Sequence, residues 1–332
     1  MHNDSFSKLL QNFFVERLIN QQHVSPETKE SYKYTFCLLL NFFYSETHKE
    51  PSALEDLNEQ TILKFLNYLE KDRKNSISTR NLRLAAIRAF FNYAYYQAPE
   101  SAETIQRVLA IPKKRSNRPV VSFLSEEEIN VIINTPNISR WSGVRDHTMF
   151  MTLYNTGARV SEITGLRIAD VALNTKVHIK IHGKGRKERV LPLWKRTSRL
   201  IKNWLNYLDG NGSDLNGFLF PNRQGKQMTR HGAKERLRLA KDIAVNKCPS
   251  LKDKKISPHT IRRTCAVHML EAGENIVTIS LWLGHKNIST TYQYLEASLS
   301  MKEKTLQKYG PPSTKNIRFC PTKPQLNFLK SL

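Results

Sequence analysis

Hydrophobic residues recur every three to four positions through the first third of the chain, which is the spacing of one face of an α-helix. Ser25-Pro26 favours a helix start, and Asn58 and Ser78 are predicted to begin two further helices. The apolar positions that follow the three starts are Tyr32, Phe36, Leu39, Leu40 and Phe43; Ile62, Phe65, Leu66 and Leu69; and Leu82, Ile87, Phe90 and Phe91. The pattern predicts a small helical domain over residues 1–110 with an aromatic core.

Beyond residue 120, the helical spacing of hydrophobic residues gives way to a mixture of helix and strand patterns. Ser125 and Glu128 have the spacing of a capping box, in which each side chain accepts a hydrogen bond from the other residue's backbone amide. Apolar and polar residues alternate over 176–181 and return over 189–193 after a glycine turn, which predicts a hairpin with a cationic tip. Most of the chain from there to about residue 309 has helical character. The expected fold is mainly α with a small antiparallel β-sheet in the second domain, residues 120–309, followed by a tail over 310–332.

Composition excludes several classes of protein. The chain is 39% hydrophobic and 24% charged, as in ordinary globular proteins, and no apolar run approaches the roughly 18–20 residues that cross a bilayer. Its four cysteines are scattered and indicate neither a disulfide framework nor a zinc site. We therefore expect a reduced cytoplasmic protein with no membrane partner, no metal and no cofactor.

Basic residues are concentrated in the second part of the chain. The protein has 52 Lys and Arg against 29 Asp and Glu, a net charge of +23; residues 1–117 hold 16 basic and 13 acidic residues, and residues 118–332 hold 36 and 16. Such a concentration is typical of proteins that bind phosphates, whereas basic membrane-surface helices also carry a broad apolar face. DNA or RNA is the expected partner. The segment 111–119 is predicted to be an exposed linker that lies against a duplex through Lys113, Lys114 and Arg115.

Four segments of the second domain carry candidate chemistry. In chain order they are Thr-Gly-Ala-Arg-Val-Ser-Glu-Ile at 156–163, the Gly-Lys-Gly of the hairpin tip around Lys184, His-Thr-Ile-Arg-Arg-Thr at 259–264, and Leu-Gly-His-Lys-Asn-Ile-Ser-Thr-Thr-Tyr-Gln-Tyr at 283–294. In this order and spacing they resemble the tyrosine recombinases, the phage-integrase family of site-specific DNA strand-exchange enzymes, which includes Xer-like enzymes and mobile-element integrases. The resemblance covers roughly residues 124–297 and extends loosely to the helical domain, which looks like the family's core-binding domain.

The resemblance implies a site that cuts a phosphodiester without metal or ATP. Arg159 and Arg262 would stabilise the pentacovalent phosphate, because a guanidinium is permanently charged and grips two phosphate oxygens. Tyr294, nine residues past His285, would be the nucleophile and form a 3′-phosphotyrosyl bond. His259 would assist its proton transfer, and His285 would donate a hydrogen bond to the phosphate. Lys184 would protonate the 5′-oxygen as general acid. The cations expected to contact further phosphates are Arg186, Lys187 and Arg263.

The same resemblance implies the partners. The two domains would form a C-shaped clamp on double-stranded DNA with paired inverted half-sites, in the bacterial nucleoid. A dimer would bind each site and a homotetramer would join two sites, with a Holliday junction as intermediate and accessory recombination proteins as further partners. Leu326, Phe328 and Leu329, which are apolar residues in a basic tail, are expected to contact a neighbouring protomer.

Other functions share parts of this pattern. A DNA-binding architectural or regulatory factor without catalysis would lack a catalytic residue, and none of the six is missing. A type IB topoisomerase shares the chemistry, but the separate helical domain and the long tail favour recombination. Within recombination, the sequence favours integration and excision of a mobile element, with resolution of chromosome or plasmid dimers as the alternative.

Overall fold

The computed structural model describes residues 5–115, 122–174, 176–183, 187–210, 217–285, 287–297 and 323–331. The chain divides into two compact units, Met1–Arg118 and Pro119–Leu332. Within the described residues, no helix is both long enough and apolar enough to span a membrane.

The first unit is helical, as the hydrophobic spacing predicts. Its elements are α1 (Ser5–Asn12), a π-helical segment (Phe13–Gln21), α2 (Pro26–Thr47), α3 (Glu59–Lys71), α4 (Ile77–Ala94) and α5 (Ala102–Ala110). The predicted starts of α2 and α3 are confirmed, since Ser25 and Asn58 each accept a hydrogen bond from a backbone amide in the first helical turn. The predicted start of α4 at Ser78 is wrong. Ser76 is the N-cap, because its hydroxyl accepts from the Thr79 amide, and Ser78 lies inside the helix.

Aromatic side chains form the centre of the first unit. The Phe36 and Phe90 rings lie 5.3 Å apart edge to face, and Phe13 lies 5.5 Å from Phe90 in the same geometry. Ring edges packed against ring faces stabilise such a core beyond simple area burial. Leu82, which the spacing placed on the core face of α4, is exposed, because it lies nearly half a turn away from the buried Leu84.

The basic segment after α5 begins as part of the first unit. Ile111 is buried, an Arg80 Nη1 donates to the Pro112 carbonyl at 3.2 Å, and Lys114 Nζ lies 2.8 Å from Glu70 Oε1. Residues 112–115 are exposed, as predicted for the linker, and only Ile111 is buried, although Pro112 and Lys114 are bonded to the first unit. Residues 116–121 lie outside the described part of the chain.

The second unit combines helices with a small sheet. Its helices are α6 (Glu126–Asn134), α7 (Trp141–Thr156), α8 (Val160–Thr164), α9 (Lys195–Gly210), α10 (Arg230–Ala244), α11 (Pro258–Glu271), α12 (Ile276–Leu283), α13 (Ser289–Ala297) and α14 (Lys323–Ser331). Its strands are β1 (Val171–Ala172), β2 (His178–His182) and β3 (Glu188–Pro192), which form an antiparallel sheet in the order β1-β2-β3. The Ser125–Glu128 capping box is confirmed, with both hydrogen bonds present.

The predicted hairpin is confirmed, with its strands shifted by one or two residues. Ile179 pairs with Leu191 across β2 and β3, and both side chains are buried on the core face together with Ile181. Trp204 of α9 belongs to the same buried cluster, and its indole nitrogen donates to the Leu219 carbonyl at 2.7 Å. Alternation along the strands therefore fixes which face of the hairpin is covered and leaves its polar face outward.

Candidate active site

Two glycines that end helices set the backbone of the candidate site. Gly157 ends α7 and Gly284 ends α12, both in the left-handed conformation, with φ of +56° and +67°. Glycine adopts this conformation without the steric cost that a Cβ brings. The chain turns immediately afterwards and presents Arg159 and His285. A Cβ placed on Gly157 would lie 2.5 Å from Leu283 Cδ2, so the two turns are in close contact.

Arg262 of α11 joins the two turns. Its Nη1 donates to the Gly157 carbonyl at 2.8 Å and its Nη2 to the Leu283 carbonyl at 2.9 Å. The side chain is only 1% exposed. Burial, and then the nearby charge of Arg159, lowers its pKa to about 10, so it stays cationic at neutral pH. A buried guanidinium is thus held rigidly at the centre of the site.

Arg159 shares one carboxylate with a second arginine. The Arg159 amide donates to Glu162 Oε2 at 2.8 Å and its Nη1 donates to Oε1 at 2.9 Å, while 42% of the Arg159 side chain is exposed. Arg189 of β3 donates from Nη2 to Glu162 Oε2 at 2.8 Å and from Nε to the Trp282 carbonyl at 2.9 Å. Burial alone would raise the pKa of Glu162, but the hydrogen bond and charge of Arg189 and the hydrogen bonds from Arg159 hold it below its usual value.

Both predicted histidines lie in this cationic environment. Burial, followed by the charges of Arg262 and Arg159, lowers the pKa of His285 to about 4, and its Nδ1 lies 2.7 Å from Thr291 Oγ1. His259, one turn before Arg262 on α11, is exposed. Its pKa is also lowered, by partial desolvation and then by the charges of neighbouring arginines. Both imidazoles are therefore neutral near pH 7 and can accept or donate a proton.

Tyr294 is completely buried beside His285, with ring centroids 6.1 Å apart, whereas Tyr292 of the same helix is half exposed. The two tyrosines point to different sides of α13, as their spacing predicts. Among the described residues, no group meets hydrogen-bond geometry with the Tyr294 hydroxyl. Burial raises its pKa, and neither the opposing charges of Arg262 and Arg263 nor the proximity of the Arg262 side chain to the hydroxyl reverses that effect.

The structure brings together five of the six predicted catalytic residues, whereas the predicted DNA contacts are only partly within the described residues. Arg159, His259, Arg262, His285 and Tyr294 belong to one connected region of the second unit, linked by the hydrogen bonds, ring contact and electrostatic effects given above. Lys184 and Arg186 lie outside the described residues. Lys187 is exposed next to β3, and Arg263 is half-buried with its charge acting on His259 and Tyr294. Lys114 is engaged with Glu70 in the first unit.

Arg189 is the residue that sequence reasoning missed. The sequence predicts it only as the first residue of a returning strand, because its bonding partners are distant along the chain. Glu162 is 27 residues before it and Trp282 is 93 residues after it. The Arg159–Glu162 pair was visible as a three-residue spacing, but nothing local indicated that Glu162 has a second arginine.

Among the residues that the structure describes, no group of three or more His, Cys, Asp or Glu side chains is placed to hold a metal ion. Cys265 and His268 have the C-x-x-H spacing of two zinc ligands, but both ring nitrogens of His268 lie within hydrogen-bond distance of other groups. Its Nδ1 lies 2.7 Å from Tyr154 Oη and its Nε2 lies 2.9 Å from the Leu124 carbonyl oxygen.

Comparison with known proteins gives matches in both units. Residues 122–300 match the phage integrase family, and residues 12–98 match the phage integrase N-terminal SAM-like domain. The putative integrase/recombinase y4rC of Sinorhizobium fredii is 43% identical over 330 residues, covering 99% of this chain and 98% of the relative. The tyrosine recombinase XerC of Pelobacter propionicus is 31% identical over 298 residues, covering 90% of this chain and 94% of the relative.

A solved structure shows a similar fold. The XerH site-specific recombinase in a post-cleavage complex with its palindromic difH substrate superposes with a TM-score of 0.69 at 20% identity. The match covers 85% of this chain and 79% of that chain.

Proposed function

This chain belongs to the phage integrase family, and on that premise we propose how its residues carry out DNA strand exchange. Membership confirms the resemblance drawn from the four sequence segments. The chain is a tyrosine site-specific recombinase, an enzyme that cleaves and rejoins DNA strands. The observation that carries the assignment of roles is the convergence of Arg159, Arg262, His285 and Tyr294 around two touching turns.

We assign the phosphate to Arg159 and Arg262. Arg262 is anchored by two backbone carbonyls, so its charge does not have to reorganise when negative charge develops on the phosphate. Arg159 binds Glu162 through one terminal nitrogen and exposes much of the rest of its side chain. A guanidinium in this state has donors left for two phosphate oxygens. His285, neutral and next to both arginines, adds a further hydrogen bond.

The nucleophile in this proposal is Tyr294. Its phenolic oxygen attacks the phosphorus, its proton passes to His259, and a 3′-phosphotyrosyl bond forms as the bond to the 5′-oxygen breaks. The leaving 5′-oxygen takes a proton from Lys184, and the reverse sequence rejoins the strand. Because the Tyr294 side chain has no exposed surface, α13 has to move before the hydroxyl can reach a substrate. Burial thus withholds the nucleophile until DNA and protomers are assembled.

Double-stranded DNA is the partner, and we propose inverted half-sites that each bind one protomer, with a tetramer joining two sites through a Holliday junction. The exposed cations Lys113, Arg115 and Lys187 support backbone contacts, because phosphate binding needs solvent-facing charge. The helix α14 exposes Phe328, which supports its contact with a neighbouring protomer. Accessory recombination proteins complete the proposed assembly. A DNA substrate also supports the expectation of a cytoplasmic protein associated with the nucleoid.

For the biological role we propose integration and excision of a mobile element. The 43% identity to a putative integrase/recombinase along nearly the full length of both chains supports it. Dimer resolution is the second candidate, supported by the 31% identity to XerC. Parallel cleavage reactions with the DNA that flanks the gene and with the replication-terminus DNA of the host separate the two roles. Cleavage of the flanking DNA would support integration, and cleavage of the terminus DNA would support dimer resolution.

The experiment that tests the chemistry uses Tyr294→Phe with Tyr292→Phe as its matched control. Each protein is incubated, without added metal, with nicked duplexes that trap the cleaved state, and the products are run on a denaturing gel. Wild type and Tyr292→Phe should form a covalent protein–DNA band, and Tyr294→Phe should bind DNA without forming one. A band with Tyr294→Phe would refute the choice of nucleophile. Specific binding without any band from the wild type would favour a non-catalytic DNA-binding factor.

The same variant tests the buried state of the nucleophile. An unpaired buried hydroxyl costs about 1–3 kcal/mol. Tyr294→Phe should therefore melt at the same temperature as the wild type or higher, while losing all cleavage. A clear loss of thermal stability would contradict the absence of a partner for this hydroxyl.

A further inference from the structure

We propose that Arg189 is a positioning residue for DNA cleavage, which acts by neutralising Glu162 so that Arg159 remains free to bind the scissile phosphate. The proposal rests on the function assigned above and adds a residue to it. Arg189 does not contact the reacting atoms in this role; it sets the charge and position of a group that does.

The geometry places Arg189 where three parts of the site meet. It is the second residue of β3, paired across the sheet with Ile181, and only 12% of its side chain is exposed. Its Nη2 binds Glu162 of α8, and its Nε binds the Trp282 carbonyl near the end of α12. A Cβ on Gly284 would lie 3.1 Å from Arg189 Nη1, so the guanidinium also lies directly against the turn before His285.

Charge explains why a second arginine is needed. The Glu162 carboxylate is only 4% exposed, and a buried carboxylate needs a cationic partner or enough hydrogen bonds to stay ionised. With both arginines present, the group Arg159–Glu162–Arg189 has a net charge of +1. Without Arg189 the net charge of this group falls to zero, and Arg159 is the one cation left, among the residues that the structure describes, in an ion pair with the carboxylate. Arg159 would then bind Glu162 more strongly and the phosphate less strongly.

The contact with the Trp282 carbonyl extends this effect to the other turn. Arg262 binds the next carbonyl along the chain, that of Leu283. Two arginines from different elements therefore hold successive carbonyls just before Gly284 and His285. Loss of Arg189 would leave Arg262 as the only side chain among the described residues that bonds this end of α12 through its carbonyls.

The test compares Arg189→Gln with wild type on two substrates. One has an ordinary phosphodiester at the cleavage position, and the other has a methylphosphonate, in which a methyl group replaces the charged non-bridging oxygen. A neutral linkage depends less on arginine charge. At saturating DNA, Arg189→Gln should cleave the phosphodiester about 100-fold more slowly than the wild type, which is the loss of rate typical of removing one preorganised hydrogen-bond donor. Its affinity for DNA should change little. On the methylphosphonate, the loss of cleavage rate relative to the wild type should be at least about tenfold smaller, because the variant lacks a charge that acts on the charged phosphate.

Two variants serve as controls. Arg196→Gln removes an exposed arginine of the same unit whose Nη2 bonds Asn134 Oδ1 at 3.1 Å, and it should cleave both substrates like the wild type. Arg189→Lys keeps a charge beside Glu162 without both hydrogen bonds, so it should retain more activity than Arg189→Gln. It also provides the comparison if Arg189→Gln does not fold.

A double mutant tests the route through Glu162. In a Glu162→Gln background the carboxylate charge is gone, so Arg189→Gln should add less than about tenfold to the loss. Equal deficits on the two substrates, or full additivity with Glu162→Gln, would show a merely structural role and overturn the proposal. Absence of cleavage by the wild type itself would instead overturn the proposed function and this inference with it.

Discussion

Replacing Gly157 with alanine is expected to destabilise the second unit by about 2–5 kcal/mol, the sum of two costs. At φ +56° an L-residue pays roughly 1–2 kcal/mol for the left-handed conformation. The new Cβ would also lie 2.5 Å from Leu283 Cδ2 and 3.2 Å from Cys265 Sγ. Both neighbours are buried, so relief requires movement of packed groups, and overpacking of this kind costs about 1–3 kcal/mol.

The same substitution should impair catalysis beyond its effect on stability. The Gly157 carbonyl accepts the Nη1 hydrogen bond of Arg262, and Leu283 supplies the carbonyl for Nη2. Separating the two turns would therefore displace the buried arginine from both anchors. At a temperature where the variant is fully folded, covalent cleavage should be slower by at least about tenfold, because a small misplacement of a charge-stabilising group is costly.

Gly225→Ala is the matched control. Gly225 also has a positive φ, +75°, but a Cβ there meets nothing within 4 Å, so only the conformational cost applies. The four tryptophans lie at residues 141, 194, 204 and 282, and their fluorescence therefore reports urea unfolding of the second unit. Equal losses in the two variants would refute the packing argument. A destabilised Gly157→Ala that cleaves as fast as the wild type would refute the link to Arg262.

Two further predictions concern charge. Asp146→Asn should destabilise the second unit by about 3–5 kcal/mol in urea, because it leaves the buried Arg145 without its carboxylate. Asp242→Asn, which removes an exposed ion pair with Arg238, should leave the stability almost unchanged. Equal costs would contradict the role of burial. Because the pKa of His285 is lowered from 6.5 to about 4, the unfolded chain takes up the proton first as pH falls. The contribution of neutral His285 to stability is therefore fully present above pH 6.5 and is lost as the pH falls towards 4. His285→Gln should flatten the plot of melting temperature against pH between these two values. An unchanged slope would contradict the lowered pKa of His285.

Local signals along the chain were sufficient to predict much of the fold. The starts of α2 and α3, the Ser125–Glu128 capping box and the hairpin depend on residues within a few positions of one another, and all are confirmed. The error at α4 is of the same local kind. Ser76 and Ser78 are both capping residues by type, and only the folded backbone shows that the Ser76 hydroxyl reaches the Thr79 amide.

The sequence by itself determined the family, through four short segments in a given order, and it separated Tyr294 from Tyr292 through helical spacing. Only the tertiary structure decided that Arg262 is anchored by two distant turns, that Arg189 shares Glu162 with Arg159, and that the nucleophile is buried. The physical reason is range. Capping, periodicity and turns act within one or two helical turns of sequence, whereas buried ion pairs and carbonyl contacts form between segments that meet only after the core has packed.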